Sequence, residues 1–98
     1  MSEGWLEYNK RVWRKYDSRM NVESTVHLIR LQCNEIEEHL VEGHDIQKVV
    51  NELCDIASLA SRQIEILGFD FVDEMFRRIR TRYDGRVEEI IDKYRKLD

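Results

Sequence analysis

A chain of 98 residues with 42% hydrophobic and 37% charged residues is long enough to bury a core as one domain and too apolar to belong to the disordered class. Its net charge of −4 argues against a general nucleic-acid binder, which needs a basic surface to neutralise phosphates, and no apolar run is long enough to cross a bilayer. The absence of proline, the abundance of Glu, Lys, Arg and Leu, and apolar residues recurring three and four apart predict an all-α protein forming a single domain over residues 1–98.

In chain order, the opening stretch MSEGWLEYNKRVWRKY is charged throughout and lacks the apolar segment of a secretory signal, so a cytoplasmic protein is expected. A first helix over about 3–18 offers Leu6, Val12, Trp13 and Tyr16 as buried positions. Asn21 suits the cap of a second helix that runs to about 42 and stops at Gly43. Asp45 can cap a third, which Gly68 ends, and Asp70 with Asp73 opens a fourth that reaches about Tyr83. Gly85 then interrupts the pattern, and 86–97 reads as a terminal helix. Short connections after the second and third helices imply antiparallel neighbours, hence a bundle of four to five helices. Cys33 and Cys54 have neither CxxC spacing nor a nearby paired histidine and read as reduced, structural thiols.

The second helix carries two faces. Val26, Ile29, Cys33, Ile36 and Leu40 form a core seam, while Leu31, Glu35, Glu38 and Glu42 fall nearly opposite, with Leu28 beside them. The third helix repeats this: Val49, Leu53, Ala57, Ala60 and Ile64 form its seam, and Glu52, Asp55, Leu59, Arg62 and Ile66 mix carboxylates with apolar groups on another face. A helix on the outside of a monomer does not need two apolar faces. The second face is therefore expected to meet the fourth helix or another subunit, and the bundle is expected to be a homo-oligomer.

Height along the hairpin brings the acids together. With the turn near residue 44 as the reflection point and a rise of about 1.5 Å per residue, Glu35 and Glu38 lie ~13 and ~9 Å from the turn, and Glu52 and Asp55 ~12 and ~16 Å. Carboxylates about 6 Å apart repel by roughly 3 kcal/mol per pair at an effective dielectric near 20. Protonation can offset that, and a hard divalent cation does so better; all-oxygen ligation suits Mg²⁺, with Mn²⁺ as a substitute. The plainer alternative is solvated faces and caps, since Glu42/Asp45, Asp70/Asp73 and Glu89/Asp92 share the same spacing. A di-iron bundle would need Glu-x-x-His pairs, but Ser24, Ile36 and Val41 stand three residues before His27, His39 and His44, which read as surface or loop residues. Arg78 and Arg82, four apart on one face, suit phosphate binding as well as they suit a solvated basic surface. Trp5, Tyr8 and Trp13 read as packing residues rather than a base-stacking platform.

Glu35-Ile-Glu-Glu38, then thirteen residues, then Glu52-Leu-Cys-Asp55 resembles the ExxE...ExxD signature of the MazG-like all-α nucleoside triphosphate pyrophosphohydrolases. The surrounding NEIEEHL and ELCDIASLASRQIEILGFD are similar to the same family, and the resemblance covers roughly residues 22–83. It implies a Mg²⁺-dependent enzyme that cuts a nucleoside triphosphate between the α and β phosphates, with Glu35, Glu38, Glu52 and Asp55 as metal ligands. Glu35 and Glu38 are then the candidates for a catalytic role. Arg78 and Arg82 match the positions where many members place Lys and Asn against the phosphates, and Leu59 stands where some carry an aromatic residue, so base preference does not carry over. The resemblance also implies a homodimer or homotetramer. The alternative from a different class is a non-catalytic helical interaction module with the same fold.

Overall fold

The computed structural model describes residues 3–95, which hold five α-helices and no strand. Among the described residues no helix is long and apolar enough to cross a membrane. The chain divides after Gly68 into two compact units.

In the first unit, α1 (Trp5–Trp13) tightens into a 3₁₀ segment over Arg14–Arg19 instead of continuing as α-helix to residue 18. The backbone N–H of Met20 closes the segment by donating to Asp17 O at 3.1 Å. Such a terminus satisfies the last carbonyls with shorter-range bonds, and here it delivers Asp17 to Arg62. Of the four residues expected to be buried, Leu6 and Trp13 are half-buried, while Val12 and Tyr16 are exposed.

α2 (Val22–Glu42) starts at Asn21, whose side chain accepts from Ser24 N–H at 2.8 Å while its own backbone N–H donates to Ser24 Oγ at 3.1 Å. It ends at Gly43 in the left-handed region, φ +68°, where a β-carbon would be strained. Asp45 then accepts from Gln47 N–H at 3.0 Å and begins α3 (Ile46–Ile66), which closes ahead of Gly68. The two helices form an antiparallel hairpin. A buried hydrogen bond from Thr25 Oγ1 to Gln63 Oε1, 2.7 Å, fixes its register; the two residues stand equally far from His44 along the chain, so the turn is the reflection point.

The rotation of both helices differs from the expected seams. Thr25, Ile29, Gln32, Ile36 and His39 make the shielded line of α2, and Val49, Glu52, Ile56, Leu59 and Gln63 that of α3. Val26, Cys33 and Leu40 are exposed instead, as are Leu53 and Ala57. The physical reason is polar: Thr25–Gln63, Gln32 against the α3 carboxylates, and His39 beside Glu52 are ties that cannot be made from the apolar seam. The consequence is an interior that is largely polar. Among the described residues only Met20 and Leu59 are buried hydrophobics, whereas Thr25, Ser61, Arg62 and Gln63 are also buried. α1 is joined to α3 by Trp13 Nε1 donating to Ser58 Oγ at 2.9 Å and Asn9 Nδ2 donating to Ser58 O at 3.1 Å.

In the second unit, Asp70 accepts from Asp73 N–H at 2.9 Å to cap α4 (Phe71–Arg78). The fourth helix does reach Tyr83, but over Ile79–Tyr83 it widens into a π-helical turn closed by Asp84 N–H to Ile79 O, 3.0 Å. Gly85, φ +74°, reverses the chain into α5 (Val87–Arg95); the last part of the expected terminal helix, 96–97, lies outside the described residues.

Candidate functional site

Antiparallel pairing places Glu35 of α2 beside Glu52 and Asp55 of α3. Glu52 is hydrogen-bonded to Glu35 and has a side chain only 13% exposed. Its carboxyl is raised above the ordinary range, first by burial, then by the hydrogen bond to Glu35 and by the negative charges of Glu35 and Asp55; His39 pulls the other way. Like charges in a shielded place favour the protonated form of a carboxyl.

Two further residues enter this cluster. With its amide nitrogen turned toward them, Gln32 donates to Glu52 and, at 3.3 Å, to Asp55. His39 Nε2 stands 3.7 Å from Glu52 Oε1, and its Nδ1 is 2.7 Å from Nδ1 of His44, which in turn holds Glu42 at 2.7 Å through Nε2. Neither Gln32 nor His39 carries a recognisable motif, and His39 reads as a surface residue from sequence. The signal that could have found them is the helical spacing Gln32, Glu35, His39 on one side of α2, facing Glu52 and Asp55.

Glu38 is separate. It lies exposed in a shallow depression with Asn34, Glu37, Val41 and Glu42 on the outer surface of α2, and among the described residues no hydrogen bond or ion pair joins it to the other three acids. As the side chains lie, no three His, Cys, Asp or Glu among the described residues form a metal-holding group. The chemistry of the donor set nevertheless fits a hard divalent cation: Glu35, Glu52 and Asp55 offer only oxygens, and the raised Glu52 carboxyl records an excess of negative charge that a cation would relieve. Beside Asp55 and Gln32, a cavity of about 270 Å³ opens between Trp13, Leu28, Ser58 and Leu59.

Arg78 and Arg82 belong to the second unit, where both line a cavity of about 600 Å³. Arg78 is exposed; Arg82 is half-buried and donates from Nη2 to the Tyr94 hydroxyl at 3.3 Å. Cys33 and Cys54 are free and exposed. No family model, curated protein or solved structure matches this chain.

Proposed function

We propose that this chain is a Mg²⁺-dependent, cytoplasmic nucleoside triphosphate pyrophosphohydrolase that cleaves between the α and β phosphates, giving a nucleoside monophosphate and pyrophosphate. The observation that carries this reading is the approach of Glu35, Glu52 and Asp55, whose like charges together with burial raise the Glu52 carboxyl above its ordinary range. Glu35, Glu52 and Asp55 would hold the cation, with Mn²⁺ as a substitute; Glu38, on the outer surface of α2, stands outside that set. When bound, the cation supplies neutralisation of phosphate charge and a lower pKa for the attacking water. Of the two carboxylates expected to have a catalytic role, Glu35 is the one beside the cluster and would be the base that takes the water proton. Within the second unit, Arg78 and Arg82 are the side chains whose chemistry suits phosphate. The apolar cavity beside Asp55 offers room for the rest of the nucleotide.

The exposed seam of Val26, Leu40 and Leu53, together with the scarcity of buried hydrophobics, favours self-association into a homodimer or homotetramer. Light scattering on a sizing column measures it; a monomer at all concentrations would remove this part of the reading. A second reading, a non-catalytic helical interaction module, is favoured by one observation: Gln32 and the Glu35–Glu52 hydrogen bond already satisfy the acids. Pyrophosphate release from a panel of NTPs and dNTPs, with and without Mg²⁺, separates the two. Mg²⁺-dependent release is expected, and no turnover of any nucleotide would leave the module.

A further inference from the structure

His39 lies in the last turn of α2 and His44 in the loop that leads to α3. In a continuous helix two residues five apart point about 140° away from each other. The left-handed turn at Gly43 removes that separation. His44 N–H donates back to His39 O at 2.9 Å, and the two rings come together with their centroids 5.0 Å apart. Their Nδ1 atoms face each other at 2.7 Å.

Each ring also turns its other nitrogen to a carboxylate. His44 Nε2 stands 2.7 Å from Glu42, and His39 Nε2 stands 3.7 Å from Glu52 of α3. Assigned from these partners, His44 carries its proton on Nε2 and accepts at Nδ1, so the proton between the rings belongs to His39. An imidazole whose far nitrogen meets a carboxylate, leaving the near one to a shared partner, is how metal-binding histidines are oriented. Two imidazole nitrogens bound about 2.0–2.1 Å from one ion in neighbouring positions stand about 3 Å apart. The observed pair therefore needs a tilt of the rings and no shift of either helix. Both side chains keep an edge in solvent, 17% exposed for His39 and 33% for His44, through which an ion and its waters can enter.

We propose that His39 and His44 form a two-imidazole site for a borderline divalent transition ion, of the Ni²⁺, Cu²⁺ and Zn²⁺ class, at the turn between α2 and α3. Glu42 and Glu52 orient the rings, and water fills the remaining positions around the ion. The ion takes the place of the proton held between the rings. That proton passes to His39 Nε2, on the side of Glu52, and both Nδ1 lone pairs turn to the ion. Imidazole nitrogen suits these ions and not Mg²⁺, which prefers oxygen and gives up its waters reluctantly. The site is thus separate in its chemistry from the acids Glu35, Glu52 and Asp55, and it does not rest on the pyrophosphohydrolase reading.

The test is calorimetric titration with Ni²⁺, in millimolar Mg²⁺, of the full untagged chain carrying Cys33→Ser and Cys54→Ser, since those exposed thiols take the same ions. One Ni²⁺ per chain is expected, with Kd on the order of 10 µM, weakened at least about tenfold by His39→Gln and by His44→Gln, and about threefold by Glu42→Gln. In nuclear magnetic resonance spectra Ni²⁺ is expected to broaden the ring signals of His39 and His44 and to spare His27, which is exposed near the other end of α2. Circular dichroism checks the variants. If His39→Gln loses helicity, His44→Gln decides alone, because His44 is an exposed loop residue. Undiminished Ni²⁺ affinity in the well-folded histidine variants, loss of binding on adding Mg²⁺, or equal broadening of all three histidines would each overturn the proposal.

Discussion

Helix α3 carries two charge clusters that solve opposite problems. Toward its C-terminus Arg62, buried, donates from Nε to Asp17 at 2.9 Å and from Nη2 to the second Asp17 oxygen, with Glu65 3.6 Å away. Toward its N-terminus Glu52 and Asp55 meet Glu35, another acid. In the first cluster the hydrogen bond to Arg62 holds the Asp17 carboxyl below its ordinary range, and Asp17 in turn raises Arg62. In the second, burial and like charge lift Glu52 above its range. Arg62 and Glu52 are each shielded, but only Arg62 meets an opposite charge in a two-point hydrogen bond. A pair of opposite charges fastens the 3₁₀ segment to α3, whereas the group of like charges is met by the Gln32 amide and by His39 3.7 Å from Glu52.

The contrast can be broken most sharply at Glu52. Glu52→Gln is expected to lower Mg²⁺-dependent nucleotide turnover by about 10³-fold while leaving the metal-free melting temperature unchanged or raised, since it removes a like charge. A variant with full turnover, or one that melts well below the parent, would make Glu52 a structural residue like Asp17. Next in size, Asp17→Ala strands a buried guanidinium and should cost about 2–3 kcal/mol, a fall of roughly 10–20 °C in melting temperature by calorimetry. An unchanged melting point would show that Arg62 finds another partner.

The pH dependence of stability sharpens the same comparison, because the two shifts have opposite signs. Asp17 is depressed in the folded chain, so its contribution is present above the ordinary carboxyl value of 3.8 and is lost as pH falls through the lower folded value. Glu52 is raised above its ordinary value of 4.5, so its contribution is present below that value and is lost as pH climbs through the higher folded one. Metal-free protein should therefore lose stability on both sides, and Mg²⁺ should restore it on the alkaline side alone. Denaturant titrations across acidic to neutral pH, with and without Mg²⁺, measure this; equal stabilisation by Mg²⁺ on both flanks would detach the cation from Glu52. The smallest effect is expected for Glu65→Gln, about 0.5 kcal/mol, because at 3.6 Å Glu65 adds charge but no hydrogen bond to the Arg62 cluster. A loss as large as that of Asp17→Ala would make the cluster a true triad.

Helix boundaries were legible wherever the cause is local. Asn21, Asp45 and Asp70 cap within three residues of themselves, and Gly43 supplies a left-handed turn, so α2, α3 and the start of α4 fall where the sequence places them. The end of α1 was not legible, because the 3₁₀ segment meets Arg62 from far along the chain. The rotation of the hairpin was misread for the same reason. An apolar seam at Val26, Cys33 and Leu40 is a strong local pattern, and only the long-range ties Thr25–Gln63 and Gln32–Glu52 outweigh it. The approach of Glu35 to Glu52 followed from spacing and reflection at the turn; the neighbours that complete the cluster, Gln32 and His39, did not, since an amide and a lone imidazole announce nothing by themselves. The exposure of Glu38 likewise depends on that rotation.

A carboxamide is nearly symmetric in outline about the bond that carries it, so half a turn of the Gln32 head exchanges two donors for one acceptor without displacing either helix. Toward bare carboxylates it offers hydrogens; toward a positive ion it can offer its carbonyl oxygen instead. One uncharged side chain thus lets the same packed interface greet either sign of charge.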